Sequence, residues 1–401
     1  MPALLPPVPA ARPPGATDAA LGEGLLACLR PLDPAAPWRD AWAALGRDAL
    51  EQNPFYEADF ALAAAQAFGE GVSLLMIADR PPEAPGARLL AAWPFRRVRA
   101  RWGLPLPVLM GWTHGFCAYG VPLLDGAEPE RALDALLRAP RALSLSPRLL
   151  MPNLPREGAF AALLERHLAR ADTRSAAYWS HERALLDLSG LSPEERAGYL
   201  GHMPGERRRK LRQRLARLEK PGPVAFETLR APAALAAGIE DYIALEAAGW
   251  KGAAGTAIAD SPAETAFMRA MVAGLGERGG VRIDRLRRDG RTLAASVLLA
   301  TRDTAWCLKI AHDESEARHS PGVQLVHRLT RDILSAKTPA FVDSCAAPDY
   351  RLGEMFWTGR RKIAHRLIEA DGGDPLFPLA AGLERARESV ARFRARRRKG
   401  G

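Results

Sequence analysis

The run VRIDRLRRDGRTLAASVLLATRDTAWCLKIAH, residues 281–312, decides the fold. Three apolar-rich stretches, 281–287, 292–300 and 304–311, read as strands. Arg288-Asp289-Gly290 separates the first two, and an Asp-Gly pair signals a tight hairpin turn. Arg302-Asp303 makes the short turn into the third. The spacing predicts a three-strand antiparallel meander. Outward from it, helical patterns at 232–248 and 261–278 precede the meander. A helix at 322–336 and a strand at 340–345 follow it. The order is helix, helix, meander, helix, strand, which is an α/β (α+β) arrangement with a mixed, mostly antiparallel sheet flanked by helices.

Further upstream lies a strongly basic helix at 205–219, stopped by Lys220-Pro221-Gly222-Pro223. Residues 181–204 read as a connector. In the first half, helices are predicted at 21–30, 39–51, 57–68, 128–138 and 157–170. Strands are predicted at 72–79 and 88–95 around a Pro-rich loop. Residues 104–111 read as an edge or irregular strand because prolines interrupt them. The 72–95 unit is similar to the meander, so the halves read as two copies of one fold without a strict repeat. The expected divisions are a disordered Pro-rich arm over 1–20, a first domain over 21–180, a second over 181–380 and a basic tail over 381–401.

The chain has 401 residues, with 56 Lys and Arg against 46 Asp and Glu, a formal charge of +10. Only seven of the basic residues are lysine. Much of the arginine excess reads as compositional bias, and the rest points to an anionic partner. Cys28, Cys117, Cys307 and Cys345 share no metal-site spacing, so a zinc knuckle or redox pair is not expected. His312 and His319 lack a HExxH context, and no metal is expected. No GxSxG elbow, Walker A motif, signal-peptide pattern or membrane-length apolar run is present. A cytoplasmic location is expected, with the inner membrane surface as a site of peripheral contact.

Four groups of residues carry candidate chemistry. At Arg318-His319-Ser320-Pro321-Gly322-Val323 a polar loop opens into a helix. Ser320 reads as its N-cap and Pro321 as its first turn. Exposed N–H groups, the small Gly322 and the Arg318 guanidinium together suit a pyrophosphate, and Val323 completes this candidate site. Glu246 lies in line with Leu235, Ile239 and Tyr242, on the apolar stripe of its helix and in its last turn. A carboxylate there opposes both the stripe and the helix dipole, so it needs a job or a partner such as Lys251. Lys309, on a strand expected to turn Cys307, Lys309 and Ala311 to one face and Trp306, Leu308 and Ile310 to the other, needs an anion. Asp343 is a second strand-end carboxylate. The helix around Arg208 pairs an apolar stripe, Leu211, Leu215 and Leu218, with an arginine face suited to a nucleic acid, an anionic lipid surface or an acidic glycan. No aromatic interleaving accompanies it, so sequence-specific nucleic-acid reading is not expected.

Taken together, the basic 207–217 helix, Leu245-Glu246-Ala247-Ala248-Gly249-Trp250-Lys251-Gly252, Lys309-Ile310-Ala311-His312-Asp313-Glu314 and Ser320-Pro321-Gly322 resemble the GNAT-fold acyltransferases. The resemblance is to the cellulose-biosynthesis-associated (CelD-like) branch, related to Fem-type aminoacyltransferases. His114-Gly115-Phe116 and Gly120-Val121-Pro122-Leu123-Leu124-Asp125 extend it into the first half. It implies tandem GNAT-like domains and an acyl-CoA donor, acetyl-CoA or another, with its pyrophosphate at Ser320-Pro321-Gly322. It implies transfer to an amine, such as an amino sugar or a cell-envelope glycan precursor. Glu246, with Asp343 second, is then the proton acceptor, and Lys309 stabilises charge or anchors the acceptor. Trp250, Lys251, Arg208 and Asp313 are candidates for contacting that acceptor. The family's phosphate loop has a small residue where Gln324 stands here. An aminoacyl-tRNA donor and a non-catalytic polysaccharide-assembly role remain alternatives.

Overall fold

The computed structural model describes residues 16–33, 35–347 and 350–399. The first elements are β1 (Thr17–Gly22), β2 (Leu25–Pro31), α1 (Arg39–Asp48), α2 (Ala58–Phe68), β3 (Val72–Ala78), β4 (Leu89–Val98), β5 (Val108–Gly111) and β6 (Leu123–Leu124). Then come α3 (Pro129–Ala142), β7 (Arg148–Pro155), α4 (Ala159–Ala171), β8 (Ser175–Asp187), α5 (Pro193–Gly198), α6 (Gly205–Leu218), β9 (Ala225–Leu229), α7 (Pro232–Ala247) and α8 (Trp250–Ala253). The last are α9 (Pro262–Gly276), β10 (Val281–Arg288), β11 (Arg291–Ala300), β12 (Thr304–His312), α10 (Pro321–Ser335), β13 (Phe341–Asp343), β14 (Gly359–Glu369) and α11 (Phe377–Lys399). Two compact units result: residues 1–181 with 362–401, and residues 182–361.

In the first unit, β1 to β5 run antiparallel in order, β5 joins β7 in parallel, and β7 pairs antiparallel with β14. Three expectations change here. The stretch expected as a helix over 21–30 is the β1–β2 hairpin. Glu23 and Gly24 both take positive φ, 53° and 72°, which bends the chain back on itself within two residues. Leu25, Ala27, Cys28 and Leu29 are buried, and the buried Arg30 bonds Asp18 on β1 and Glu83. Of the arm expected over 1–20, residues 1–15 lie outside the described residues, and Thr17–Ala20 belong to β1. Finally, β5 is an interior strand, because Pro105 and Pro107 fall before its ladder begins.

Residues 362–399 pack with the first unit, and ion pairs to three buried carboxylates show why. Glu384 on α11 accepts bonds from Arg101 and from the indole N–H of Trp102 and Trp179. Asp374 pairs with the buried Arg148, and Glu369 with Arg174. The stretch expected as a basic tail is thus mostly the helix α11.

In the second unit the strand order is β9, β10, β11, β12, β13 and the end of β8. The predicted meander is present as β10–β12, antiparallel throughout, and β12 joins β13 in parallel. The stretch expected as a connector holds the end of β8 and the helix α5. Helix α7 covers the face carrying Ile283, against which Gly238 packs. Leu325 of α10 joins Leu286, Leu293 and Ala294 on the other face, where Leu218 of α6 also buries. Both faces are covered, so each strand needs apolar residues on both sides.

Asp343 ends β13 fully buried, with Arg183 at 2.7 Å and Arg361 at 3.0 Å. Burial alone would raise its carboxyl, but the two guanidinium charges, with the Cys345 N–H bond, hold it below the usual carboxylate range. We expect D343N to destabilise the chain by about 3–5 kcal/mol, since the buried Arg183 and the half-buried Arg361 lose their charged partner. Urea unfolding of the wild type and the variant measures this. The stabilisation should fall away as pH drops below the ordinary carboxylate range, through the lowered value of Asp343.

Candidate active site

Glu246 is buried at 4% exposure in the last turn of α7, on the stripe formed with Leu235, Ile239 and Tyr242. Three donors satisfy it. The Tyr242 hydroxyl donates to Oε1 at 3.3 Å, and the Ile258 backbone N–H donates to Oε2 at 2.9 Å. Lys251 forms an ion pair with Oε1. Lys251 comes from α8, which the Gly249 turn folds back against the end of α7; there the Gly249 N–H bonds the Glu246 carbonyl. Burial first, then the Glu246 charge, pushes the Tyr242 phenol well above its ordinary value. Tyr242 therefore stays a hydrogen-bond donor.

Lys309 reaches the same place because of one extra residue. In the β11–β12 ladder, Val297 pairs with Lys309 and Leu298 with Cys307, so Leu308 bulges out unpaired. The bulge breaks the expected alternation. Lys309 shares a face with Trp306 and Val297, while Cys307 and Ile310 turn to the opposite face and pack with the α10 core. Lys309 thus lies on the α7 side, in the electrostatic field of Lys251, Glu246 and Glu264. Burial, aided by the Lys251 charge, lowers its amine to about 8, against the pull of the two carboxylates. Glu264, on the first turn of α9, is raised chiefly by burial.

The end of β12 leads to the second part of the site. After His312, a 3-10 turn over Glu314–His319 brings the chain to Ser320, which has φ 54°. Ser320 stands at the N-cap position, but its side chain makes no capping bond, contrary to expectation. Its hydroxyl accepts a bond from Arg214 of α6 at 2.8 Å. A Cβ at Gly322 would meet Nδ1 of His312 at 3.6 Å, an ordinary packing contact against the end of β12. Gln324, where a small residue is usual, is buried and donates to the Leu211 carbonyl at 2.9 Å, tying α10 to α6. Arg318 is exposed and bonds His319 at 3.1 Å. Gly249 faces this turn, with Glu314 Cγ 3.6 Å from the position of its missing Cβ. The carboxylate end and the helix-opening end of the site are therefore neighbours.

Between them the sheet opens. The β12–β13 ladder holds for three pairs only, Thr304–Trp306 with Phe341–Asp343, and β12 continues to His312 beyond it. Of the residues singled out from sequence, Glu246, Lys251 and Lys309 come together, and Arg318, Ser320, Pro321, Gly322 and Val323 form the helix opening. Trp250 stands exposed on α8 beside them. Asp313 is occupied: it caps the following turn through Ser315 and pairs with Arg291. Asp343 lies apart, in its arginine clamp. Arg208 is on α6, across the sheet from Glu246. Sequence reading missed Glu264 as a site residue because Ser261-Pro262 marks it as an ordinary helix start, and Ser261 does accept the Glu264 N–H. It named Arg214 only within the basic run.

Residues 205–349 match the profile of an acetyltransferase (GNAT) domain. That stretch holds α6 to β13 and every part of the site just described. No curated protein sequence matches the chain. Among solved structures, FemX has a similar fold, with TM-score 0.55 at 10% identity over 85% of this chain and 98% of its own. A conserved protein of unknown function from Bacteroides thetaiotaomicron VPI-5482 gives TM-score 0.50 at 11% identity over 85% and 98%. A tandem GNAT protein from the clavulanic acid biosynthesis pathway gives 0.39 at 14% over 86% and 99%. Mixed sheets flanked by helices, expected from sequence, are what the two units contain. Among the described residues, no cluster of His, Cys, Asp or Glu could hold a metal ion, and no helix is long and apolar enough to cross a membrane.

The lowered Lys309 amine has a consequence for stability. The unfolded chain binds a proton there more tightly than the folded one between pH 8 and the ordinary lysine value, so stability rises with pH across that window. Lys309→Met should therefore stabilise the chain at pH 7, by on the order of 2 kcal/mol. The gain should shrink as pH rises above 8. Thermal melts at pH 7 and pH 10 measure it.

Proposed function

We propose that the second unit is an N-acyltransferase that moves an acyl group from an acyl-CoA thioester to a primary amine. The observation that carries the proposal is the adjacency of a buried, donor-satisfied carboxylate and an α10 opening without a side-chain cap. Acyl-CoA supplies the acyl group activated as a thioester. Arg214, Arg318 and the first N–H groups of α10 suit its pyrophosphate, since a helix N-terminus favours anions. The departure at Gln324 is compatible with this, because its side chain turns inward to α6 and away from the opening.

Glu246 takes the proton from the acceptor ammonium, so that the free amine can attack the thioester carbon. Lys251 and the Ile258 N–H hold the carboxylate in place. Beyond Trp306, where β12 leaves β13, backbone N–H groups of β12 can stabilise charge as it develops on the carbonyl oxygen. Lys309, a nearby cation below pH 8, reinforces that stabilisation or holds an anionic part of the acceptor. The thiolate leaves with the electron pair of the broken C–S bond and takes the extra proton from the newly acylated nitrogen. Asp343 is a weak proton acceptor in its arginine clamp, and we assign it a structural part. The acceptor class we favour is an amino sugar or envelope glycan precursor, handled on the cytoplasmic side of the inner membrane. The cellulose-associated branch is the resemblance that suggests it.

The arginine face of α6, with Arg207, Arg208, Arg209, Arg212 and Arg217 all exposed, favours a second reading in which the donor is an aminoacyl-tRNA. Thermal shift separates the two readings. Stabilisation by acetyl-CoA, reduced about tenfold in apparent affinity by R214A/R318A, supports the first. Stabilisation by aminoacyl-tRNA alone supports the second. Binding of neither leaves a non-catalytic assembly role. For the mechanism, E246Q should lower turnover by about 10²–10⁴-fold while the donor-induced shift persists. Near-normal turnover of that variant would remove Glu246 from the chemistry.

A further inference from the structure

On the α10 side of the second unit, across the sheet from Glu246 and Lys309, lies a recess of about 1060 Å³. It runs along α10 from Gln324 to its carboxyl-terminal end, between α5, α6 and the β9–β10 strands. Two kinds of surface line it. The floor is aliphatic: Leu191, Leu200, Leu211, Leu215, Leu286 and Leu334. The rim is cationic: Arg208 and Arg212 from α6, Arg328 and Arg331 from α10, and Lys337 just beyond it. Glu219 is the one carboxylate among the lining residues.

Four of these five rim cations are not consumed by the fold. Arg196, which also lines the recess, spends its donors on the carbonyls of Leu188 and Ala336. Arg328 lies over the Phe226 ring at 5.7 Å. Among the described residues, none of Arg208, Arg212, Arg331 and Lys337 has an ion-pair partner. Like charges gathered along one rim favour an anion there. Their charges also press on His327 at the wall, whose imidazole falls below its ordinary value, first by burial and then through Arg331 and Arg328.

We propose that this recess binds an anionic lipid, its apolar chain on the leucine floor and its phosphate head among Arg208, Arg212, Arg331 and Lys337. A free phosphate or sugar phosphate would leave the leucine floor wet. A nucleotide would find no open aromatic face, since Phe226 is covered by Arg328. A neutral lipid would leave the cations unanswered. Only an amphiphile of negative head answers both surfaces, and the volume is at the upper end of the range for small-ligand sites. The proposal does not rest on the acyltransferase reading.

The test is equilibrium binding of monomeric alkyl phosphates to the full chain. Dodecyl phosphate should bind saturably and raise the melting temperature. Across octyl, decyl and dodecyl phosphate, affinity should climb about fourfold per added methylene. R208E/R331E, two exposed sites without partners, should weaken dodecyl phosphate at least about tenfold and leave the unliganded melt within a few degrees of the wild type. L215Q should flatten the chain-length dependence while leaving the charge dependence. Four results would each overturn the proposal: no saturable binding of dodecyl phosphate, equal binding of inorganic phosphate, equal binding of dodecyl maltoside, or displacement by coenzyme A at comparable concentration. Indifference to R208E/R331E would do the same.

Discussion

One unpaired residue in β12 holds the candidate site together. Because side chains alternate along a strand, inserting Leu308 without a partner reverses the faces of everything after it. Without the bulge, Lys309 would share the face of Cys307, under α10 and away from every carboxylate of α7 and α9. With it, the amine enters the field of Glu246 and Glu264, and Ile310 returns to the α10 core. Glu246, a carboxylate buried at the wrong end of its helix dipole, is then surrounded by Lys251, Tyr242, the Ile258 N–H and Lys309. Each of these offsets part of the cost of burying it.

Arginine does two kinds of work in this chain. Many arginines are internal struts. Arg30, Arg148, Arg183 and Arg282 are buried, and each meets a carboxylate on a neighbouring element. Burying a guanidinium is tolerable only with such partners, and its planar fork serves two acceptors at once. Others, such as Arg208, Arg212 and Arg331, lie exposed on α6 and α10 with no carboxylate partner among the described residues. The formal charge does not distinguish these two populations. Their partners do, and most of those partners are far away in sequence: Asp374 for Arg148, Asp343 for Arg183, Glu384 for Arg101.

What was legible from residues alone was what local pattern controls. The β10–β12 meander, α7, α9 and α10 follow from period-2 and period-3.6 apolar spacing with turn residues in the right places. Glu246 stood out because it violated two local rules at once, and such violations are where partners gather. Less legible were segments whose pattern is ambiguous or whose partner is distant. The 21–30 stretch has helix-like spacing, and only the Glu23-Gly24 turn and the pairing of β1 and β2 make it a hairpin. The strands β8 and β14 carry many charged residues, so neither reads as buried until its neighbours are known. The apolar side of α11 is modest, and its place is set by Glu384 meeting Arg101 and two indoles.

The sequence by itself determined the order helix, helix, meander, helix, strand over 232–345, the basic helix before it and the three residues, Glu246, Lys251 and Lys309, on which the chemistry is argued. It could do so because hydrophobic period, turn chemistry and misplaced charge are local properties. Only the tertiary structure decided which face Lys309 takes, that Ser320 bonds Arg214 instead of capping its own helix, that Asp343 is clamped between Arg183 and Arg361, and that the arginines of α6 rim an aliphatic recess. Those are pairings between residues tens to hundreds of positions apart. Chain order imposes no distance between such residues, and packing alone sets it.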